Sequence, residues 1–374
     1  MLKYLILLLI ISCLEVNGQN IDKFKHYKID IEAKRTDFFS LISDVEIIRL
    51  EETESSLLSY VRYYFNTPEG FGIINKNKVS FFDKEGNFLA VISNLGDGPN
   101  EYQAISAVWY RNGHFELFSS SSRSVGYYSL QGAHLKTIQA KYSKEWWGGK
   151  MIPIDDGYWL HLLDPSWNDK SKYVMVKLNF DLEPIQTINS KAIPHPFPVN
   201  LGKRFTMQED HVFYKKVLND SLFLIKNNQL KPSMRFDFGD DWTWSDKRNL
   251  SSIRAASIAS SKSEKIIEVL PDIGKTYIAL THLSGLSTKK IGCALINRLN
   301  DKVIRLDLRK SNKENFEVFF IEWQEGQLIA SLPVYDLEEF ISNLSESQYK
   351  IVGGYDLEEI MASENPVLLK IKFK

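Results

Sequence analysis

Phe71-Gly72-Ile73-Ile74, Asn75-Lys76-Asn77, Val79-Ser80-Phe81-Phe82-Asp83, Glu85-Gly86-Asn87 and Phe88 to Ile92 follow one another almost without interruption. The run reads as three short apolar strands separated by two tight polar turns. Gly86 accepts the positive φ that a hairpin turn needs, so the second and third strands pair antiparallel.

Working outward, the same block returns. Phe115 to Phe118 is apolar, Ser119 to Ser122 is polar, Val125 to Leu130 is strand-like, Gln131-Gly132 turns the chain, and His134 to Ile138 returns. Gly86 and Gly132 hold matching places about 46 residues apart, a repeat length typical of propeller blades. A third copy runs Tyr173 to Leu178, turns at Asn179 to Glu183 and returns through Ile185 to Ile188. Weaker copies follow at Ser221 to Ile225 with Arg235 to Phe238, and at Tyr277 to Leu280 with Ala294 to Leu306. A further hairpin joins Phe316 to Trp323 with Leu328 to Leu332. Asp44 to Leu50 reads as a strand near the start, and Val367 to Phe373 as one at the end. A blade alone cannot bury both its faces, so blades stack in a ring, and pairing the two ends of the chain closes it.

Two stretches break the rhythm. Residues 245–268 read as a helical insertion behind Ser245-Asp246, and residues 336–364 hold Asp336-Leu337-Glu338-Glu339 and Asp356-Leu357-Glu358-Glu359. Acidic residues in a first turn predict short helices there. The repeat length permits six or seven blades, and subtracting these insertions leaves room for about six. The expectation is an all-β chain: a six-bladed β-propeller of four-stranded antiparallel blades with short helical insertions, spanning residues 19–374 as one domain. Aromatic residues make up 13% of the 374 residues, an enrichment that favours strands.

Residues 1–18 read as an export signal. Lys3 precedes the apolar run Leu5 to Ile11, which is too short to span a bilayer. Cleavage falls either after Gly18, or before Cys13, because Ile10-Ile11-Ser12-Cys13 resembles a lipobox. Both readings place the mature protein in the periplasm or at the cell surface, the second with a lipid anchor on Cys13. No later run is apolar enough for a transmembrane helix. Cys293 then has no internal disulfide partner, and within Ile291 to Leu295 it reads as a small core residue.

The string Gly96-Asp97-Gly98-Pro99-Asn100-Glu101-Tyr102 resembles the GxGPxEY signature of an exported six-bladed β-propeller family common in Bacteroidota, similar in architecture to NHL-type propellers. Phe81 to Leu89 resembles that family's FD-x-G-x-F hairpin, Ile47 to Glu51 its opening strand, Asn219 to Leu230 one of its blades, and Asn365-Pro366-Val367-Leu368 its closing strand. The resemblance implies the fold and export, and no settled activity. Physically, the signature reads as a turn between blades. Glu101 is expected to accept backbone N–H bonds of the turn, and Tyr102 to pack between blades with its hydroxyl satisfied. A ligand role for Glu101 is the competing reading. A phosphate cradle is not expected, since no Lys-Ser or Lys-Thr follows and no helix is expected there.

Charge and motifs narrow the function. The 46 basic and 47 acidic residues give a net charge of −1, which argues against a nucleic-acid binder or electrostatic docking to acidic membranes. There is no GxSxG elbow and no His pair at metal-ligand spacing. His161, His211 and His282 are the histidines that three blades could bring to an axis. Asp240, Asp241 and Asp246 could hold calcium but lack the alternate spacing of a calcium loop; no other cofactor is expected. The candidate ligand-binding residues are aromatic: Trp146 and Trp147 before Gly148-Gly149, then Trp242 and Trp244 in an acidic stretch, with His161 beside Trp159 and Trp167. Exposed on a rim, such rings stack on sugars or anchor a partner; packed between blades, they are core. The leading expectation is a monomeric, non-catalytic module that binds a glycan, peptide or envelope protein through one face. The alternatives are a periplasmic hydrolase or lyase with a polar or metal site at the axis, and a structural partner in an envelope assembly.

Overall fold

The computed structural model describes residues 23–61, 63–98, 100–141, 148–162, 173–189, 203–216, 218–245, 265–284, 291–312 and 314–374. Three strands come first: β1 (Lys25–Lys28), β2 (Thr36–Asp37) and β3 (Ile42–Ile48). Six sheets then form in order along the chain. Blade 1 contains β4 (Tyr63–Asn66), β5 (Gly70–Asn75), β6 (Lys78–Asp83) and β7 (Phe88–Ile92). Blade 2 contains β8 (Ala107–Arg111), β9 (His114–Ser119), β10 (Ser124–Tyr128) and β11 (His134–Gln139). Blade 3 contains β12 (Gly148–Ile154), β13 (Gly157–Leu162), β14 (Tyr173–Leu178) and β15 (Pro184–Asn189). Blade 4 contains β16 (Phe205–Gln208), β17 (His211–Lys215), β18 (Ser221–Lys226) and β19 (Gln229–Asp237). Blade 5 contains β20 (Ile266–Ile273), β21 (Tyr277–Ser284), β22 (Ile291–Asn297) and β23 (Lys302–Asp307). Blade 6 contains β24 (Phe319–Gln324), β25 (Gln327–Leu332), β27 (Val367–Phe373) and β3, with β26 (Tyr349–Val352) at its outer edge. The first strands of successive blades adjoin one another in turn, and β24 returns to β4, so the sheets form a closed six-bladed propeller.

The ring closes through its termini. β27 lies between β25 and β3, with Leu368 opposite Ile48 and Ile371 opposite Val45. Four antiparallel strands, as the sequence predicts, make up blades 1 to 3. Blades 4, 5 and 6 each carry a fifth strand added in parallel at the outer edge: β1 on β19, β2 on β23 and β26 on β3. These cover edges that would otherwise present unpaired N–H and C=O groups.

The repeated turn has one geometry in three blades. Asp83 Oδ1 accepts from the backbone N–H of Glu85 and Asn87. Ser129 Oγ accepts from Gln131 and Ala133, and Asn179 Oδ1 from Asp181 and Glu183. Gly86 and Gly132 hold the positive-φ place, at 91° and 79°. A Cβ on Gly86 would lie 1.9 Å from the Arg49 carbonyl oxygen, and one on Gly132 2.8 Å from that of Val91, each in the preceding blade. In blade 3 the same place holds Leu182 at φ 57°, fully buried between blades 2 and 3.

The core is divided among the blade interfaces, each with its own apolar cluster. Phe81, Phe115 and Leu117 fill that between blades 1 and 2, Phe118, Val125 and Leu160 that between 2 and 3, and Met175 and Tyr214 that between 3 and 4. Phe213, Phe236 and Val269 join blades 4 and 5, Ala279, Leu295 and Leu369 blades 5 and 6, and Ile48, Phe71 and Phe82 blades 6 and 1.

The helical insertions divide. Leu337–Ser342 and Leu357–Met361 are helices, as the acidic repeats predict. Asp356 caps the second, accepting from Glu359 N at 2.8 Å. Asp336 spends its carboxylate instead on Lys310 and the Glu317 N–H. Of the helix expected over 245–268, residues 246–264 lie outside the described residues, and Ile266 to Glu268 already belong to strand β20. The reason is local: Ile266, Ile267 and Val269 bury their side chains between blades 4 and 5.

Candidate ligand site on the propeller axis

The first strand of each blade has one edge paired and the other turned to the axis. That free edge explains why Pro153 is tolerated in β12 and Pro271 in β20, where a missing N–H costs no ladder bond. It also lets charged side chains stand where an interior strand would exclude them.

Five such side chains come together. Lys203 lies just before β16, in blade 4, and its Nζ sits 2.7 Å from Glu322 Oε2 on β24, in blade 6. Lys150 on β12, in blade 3, places Nζ 3.5 Å from the hydroxyl of Tyr63 on β4, in blade 1, and 5.0 Å from its ring centroid. Each contact skips a whole blade, so each runs along the axis side of the blade it passes. Asp272 on β20 and Tyr63 both interact electrostatically with Lys203, which ties the two pairs into one group. The Lys203 and Glu322 side chains remain 25% and 27% exposed, enough for a ligand to reach them.

The electrostatics are uneven. Burial pushes the Asp272 carboxyl up to about 7; Glu322 adds to that shift, and Lys203 opposes it. Burial works against the Lys203 ammonium, but Glu322 and Asp272 outweigh it and hold it above its ordinary value. None of the described residues donates a hydrogen bond to the Asp272 carboxylate, and none pairs a carboxylate with Lys150. Such groups can hydrogen-bond a polar ligand, and Asp272 can change charge near neutrality.

Two other charged clusters are closed. Glu116, 2% exposed between blades 2 and 3, accepts from Trp109 Nε1 at 2.6 Å, from Arg111 Nη2 at 2.7 Å and from the Tyr158 hydroxyl at 2.8 Å. Lys215 and Glu268 pair at 2.5 Å between blades 4 and 5, where burial lowers the lysine below its ordinary value. Every partner is supplied from within, so both clusters join blades and offer nothing to a ligand.

The residues singled out from sequence fall elsewhere. Trp146 and Trp147, with Trp167, lie outside the described residues. Trp242 and Trp244 are not on a rim: they are 5% and 4% exposed. Trp242 stacks on Phe238, and Trp244 Nε1 donates to the Ile267 carbonyl at 2.8 Å. The acidic stretch around them folds back over the blade 4–5 core, which takes their faces out of solvent. His161 is 7% exposed and its Nδ1 bonds the Tyr214 hydroxyl at 2.9 Å. His161, His211 and His282 stand on the second strands β13, β17 and β21, so they do not meet at the axis. Burial lowers His282 to about 4, with Arg305 and Arg35 adding to the shift. Asp240 is exposed and Asp241 half-buried in a single helical turn, and Asp246 lies outside the described residues. Among the described residues no three His, Cys, Asp or Glu gather as metal ligands. Cys293 packs against the core between blades 5 and 6, and burial pushes its thiol up to about 11, the reverse of an activated nucleophile. No helix among the described residues is long and apolar enough to cross a membrane.

Glu101 and Tyr102 behave as the turn reading expects. Glu101 Oε2 accepts from Gly98 N at 2.7 Å, while Tyr102 is 2% exposed and donates to the Asn77 carbonyl at 2.7 Å. The axial group escapes sequence reading because two of its strands do, and because nothing local joins them to the rest. A proline and a charge inside each of Gly148–Ile154 and Ile266–Ile273 argue against a buried strand, whereas Phe319–Gln324 falls within the strand expected over Phe316 to Trp323. The usable signal is a charged side chain in the first strand of several blades.

A family profile described as "Domain of unknown function (DUF4934)" matches residues 26–372. No curated protein matches the chain. Among solved structures, a protein of Bacteroides fragilis described as exported has a TM-score of 0.72 at 15% identity, covering 94% of this chain and 100% of that one. A DUF4221 family member from Bacteroides vulgatus has a TM-score of 0.48 at 12% identity, covering 89% and 97%. The first likeness shows the fold alone; the second carries no argument.

Proposed function

The chain belongs to the DUF4934 family, and from that premise we propose that it is an exported, non-catalytic binding protein that takes a polar ligand into the axial site. The observation that carries this reading is the convergence of Tyr63, Lys150, Lys203, Asp272 and Glu322 from five blades. Half-buried polar groups with unused hydrogen-bonding capacity fix the orientation of a ligand such as a glycan or a peptide. Export rests on the residue 1–18 signal, with cleavage after Gly18 or lipidation at Cys13, and on the likeness to a B. fragilis protein described as exported.

The test is a thermal-shift screen of the mature chain against glycans and peptides. A ligand of the native state raises the melting temperature by mass action. The rise is expected to vanish in Lys203→Met and Glu322→Gln and to persist in Trp242→Phe. A rise untouched by the axial substitutions would move the site elsewhere.

Asp272 favours a second reading. A carboxyl that changes charge near pH 7 can serve as a general acid or base. A hydrolase or lyase would then release product from a bound glycan or peptide, and Asp272→Asn would abolish release while leaving binding intact.

A further inference from the structure

The five axial groups are not equivalent, and the difference points to the chemistry of the ligand. Lys203 has its counter-ion: Glu322 stands 2.7 Å away. Lys150 has none. Among the described residues its ammonium contacts only Tyr63, at 3.5 Å from the hydroxyl and 5.0 Å from the ring centroid. A half-buried ammonium with spare N–H donors has lost part of its hydration without gaining a charged partner. The group as a whole also leans positive. Two lysines face Glu322 and an Asp272 whose charge is held back by burial, so the carboxylates do not cancel the ammoniums at neutral pH.

We infer that the axial site takes an anionic ligand, and that Lys150, held against Tyr63, is the group that seats the ligand's carboxylate. The inference rests on the reading of the axis as a binding site. Ring and ammonium act together. The Tyr63 face attracts the ammonium and keeps it at the axis side of blade 2, while its remaining donors have no partner among the described residues. A carboxylate there forms charge-assisted hydrogen bonds, stronger than neutral ones. The Asp272 carboxyl, which accepts no hydrogen bond from the described residues, is left for a hydroxyl or amide of the same molecule. The carboxylate can belong to a sugar acid or to a peptide C-terminus; the shared chemistry is one carboxylate beside hydrogen-bonding groups.

The test uses matched pairs of small molecules on the mature chain by calorimetry: galacturonate against galactose, and N-acetylglycine against N-acetylglycinamide. Acetate at constant ionic strength serves as the minimal carboxylate. The expected result is that the acid of at least one pair binds about tenfold or more tightly than its neutral partner. That preference should disappear in Lys150→Met and be largely kept in Lys150→Arg. Which pair responds separates the sugar acid from the peptide terminus. Unchanged circular dichroism and melting of Lys150→Met without ligand exclude unfolding as the cause. Equal binding of acid and neutral partner, weakened by Lys203→Met but not by Lys150→Met, would overturn the carboxylate inference and leave the axial site standing. Binding of no acid, acetate included, would overturn the inference as well. A neutral glycan or peptide that still bound through Lys203 and Glu322 would then preserve the wider reading.

Discussion

Replacing Asp272 with Asn should change how the stability of this protein responds to pH. Burial raises the folded-state carboxyl from 3.8 to about 7. A carboxyl whose folded value lies above its unfolded value is protonated longer in the native state. The native state therefore binds the extra proton between those values, and this group's contribution to stability falls as pH rises from about 4 to about 7, then levels off. At about 1.4 kcal/mol per tenfold change in acidity, the full displacement is worth at most about 4 kcal/mol. The side chain is only partly buried, and solvent screening discounts the full displacement, so about 1–2 kcal/mol is the expected size. Other carboxylates, such as Asp237 and Asp307, have lowered values and stabilise in the opposite direction as pH rises. The informative quantity is therefore the difference between native and Asp272→Asn proteins. Urea unfolding of both at pH 5, 6, 7 and 8, read by tryptophan fluorescence, should show the native protein losing ground to the variant as pH rises, mostly below pH 7.5. Parallel curves would refute the claim that this carboxyl is desolvated beside Glu322.

Three further outcomes follow from the packing. Glu116→Ala leaves the Arg111 guanidinium, the Trp109 N–H and the Tyr158 hydroxyl without their acceptor, so it should cost about 3–5 kcal/mol and lower the melting temperature by several degrees, by calorimetry. Leu182→Gly relieves a positive φ worth about 1 kcal/mol but removes a fully buried side chain worth about 2–5, so denaturant unfolding should show a net loss despite the better turn residue. Deleting residues 367–374 removes the strand between β25 and β3 and opens the ring; the product should aggregate on expression, and a soluble, cooperatively melting product would contradict closure through β27.

The axial site and the tryptophans show where sequence reasoning stops. Glu101 and Tyr102 are legible because their partners are close in the chain: Glu101 turns back on Gly98, and Tyr102 reaches Asn77 and Ile92. Trp242 and Trp244 mislead because an acidic, turn-rich stretch resembles a surface loop. Their burial depends on β20 arriving beneath them, with Trp244 bonded to Ile267.

Composition, the blade-length spacing of Gly86 and Gly132, and an apolar last strand together determined a propeller closed through its ends, and subtracting the two helical insertions brought a length that permits six or seven blades to about six, because strand pattern and turn chemistry are local properties of a chain. The added parallel strands β1, β2 and β26 were decided only in three dimensions, since a short edge strand is specified by the neighbour it covers. So was the meeting of Tyr63, Lys150, Lys203, Asp272 and Glu322. Each lies in or beside the first strand of a different blade, and only ring closure turns five distant positions into one site.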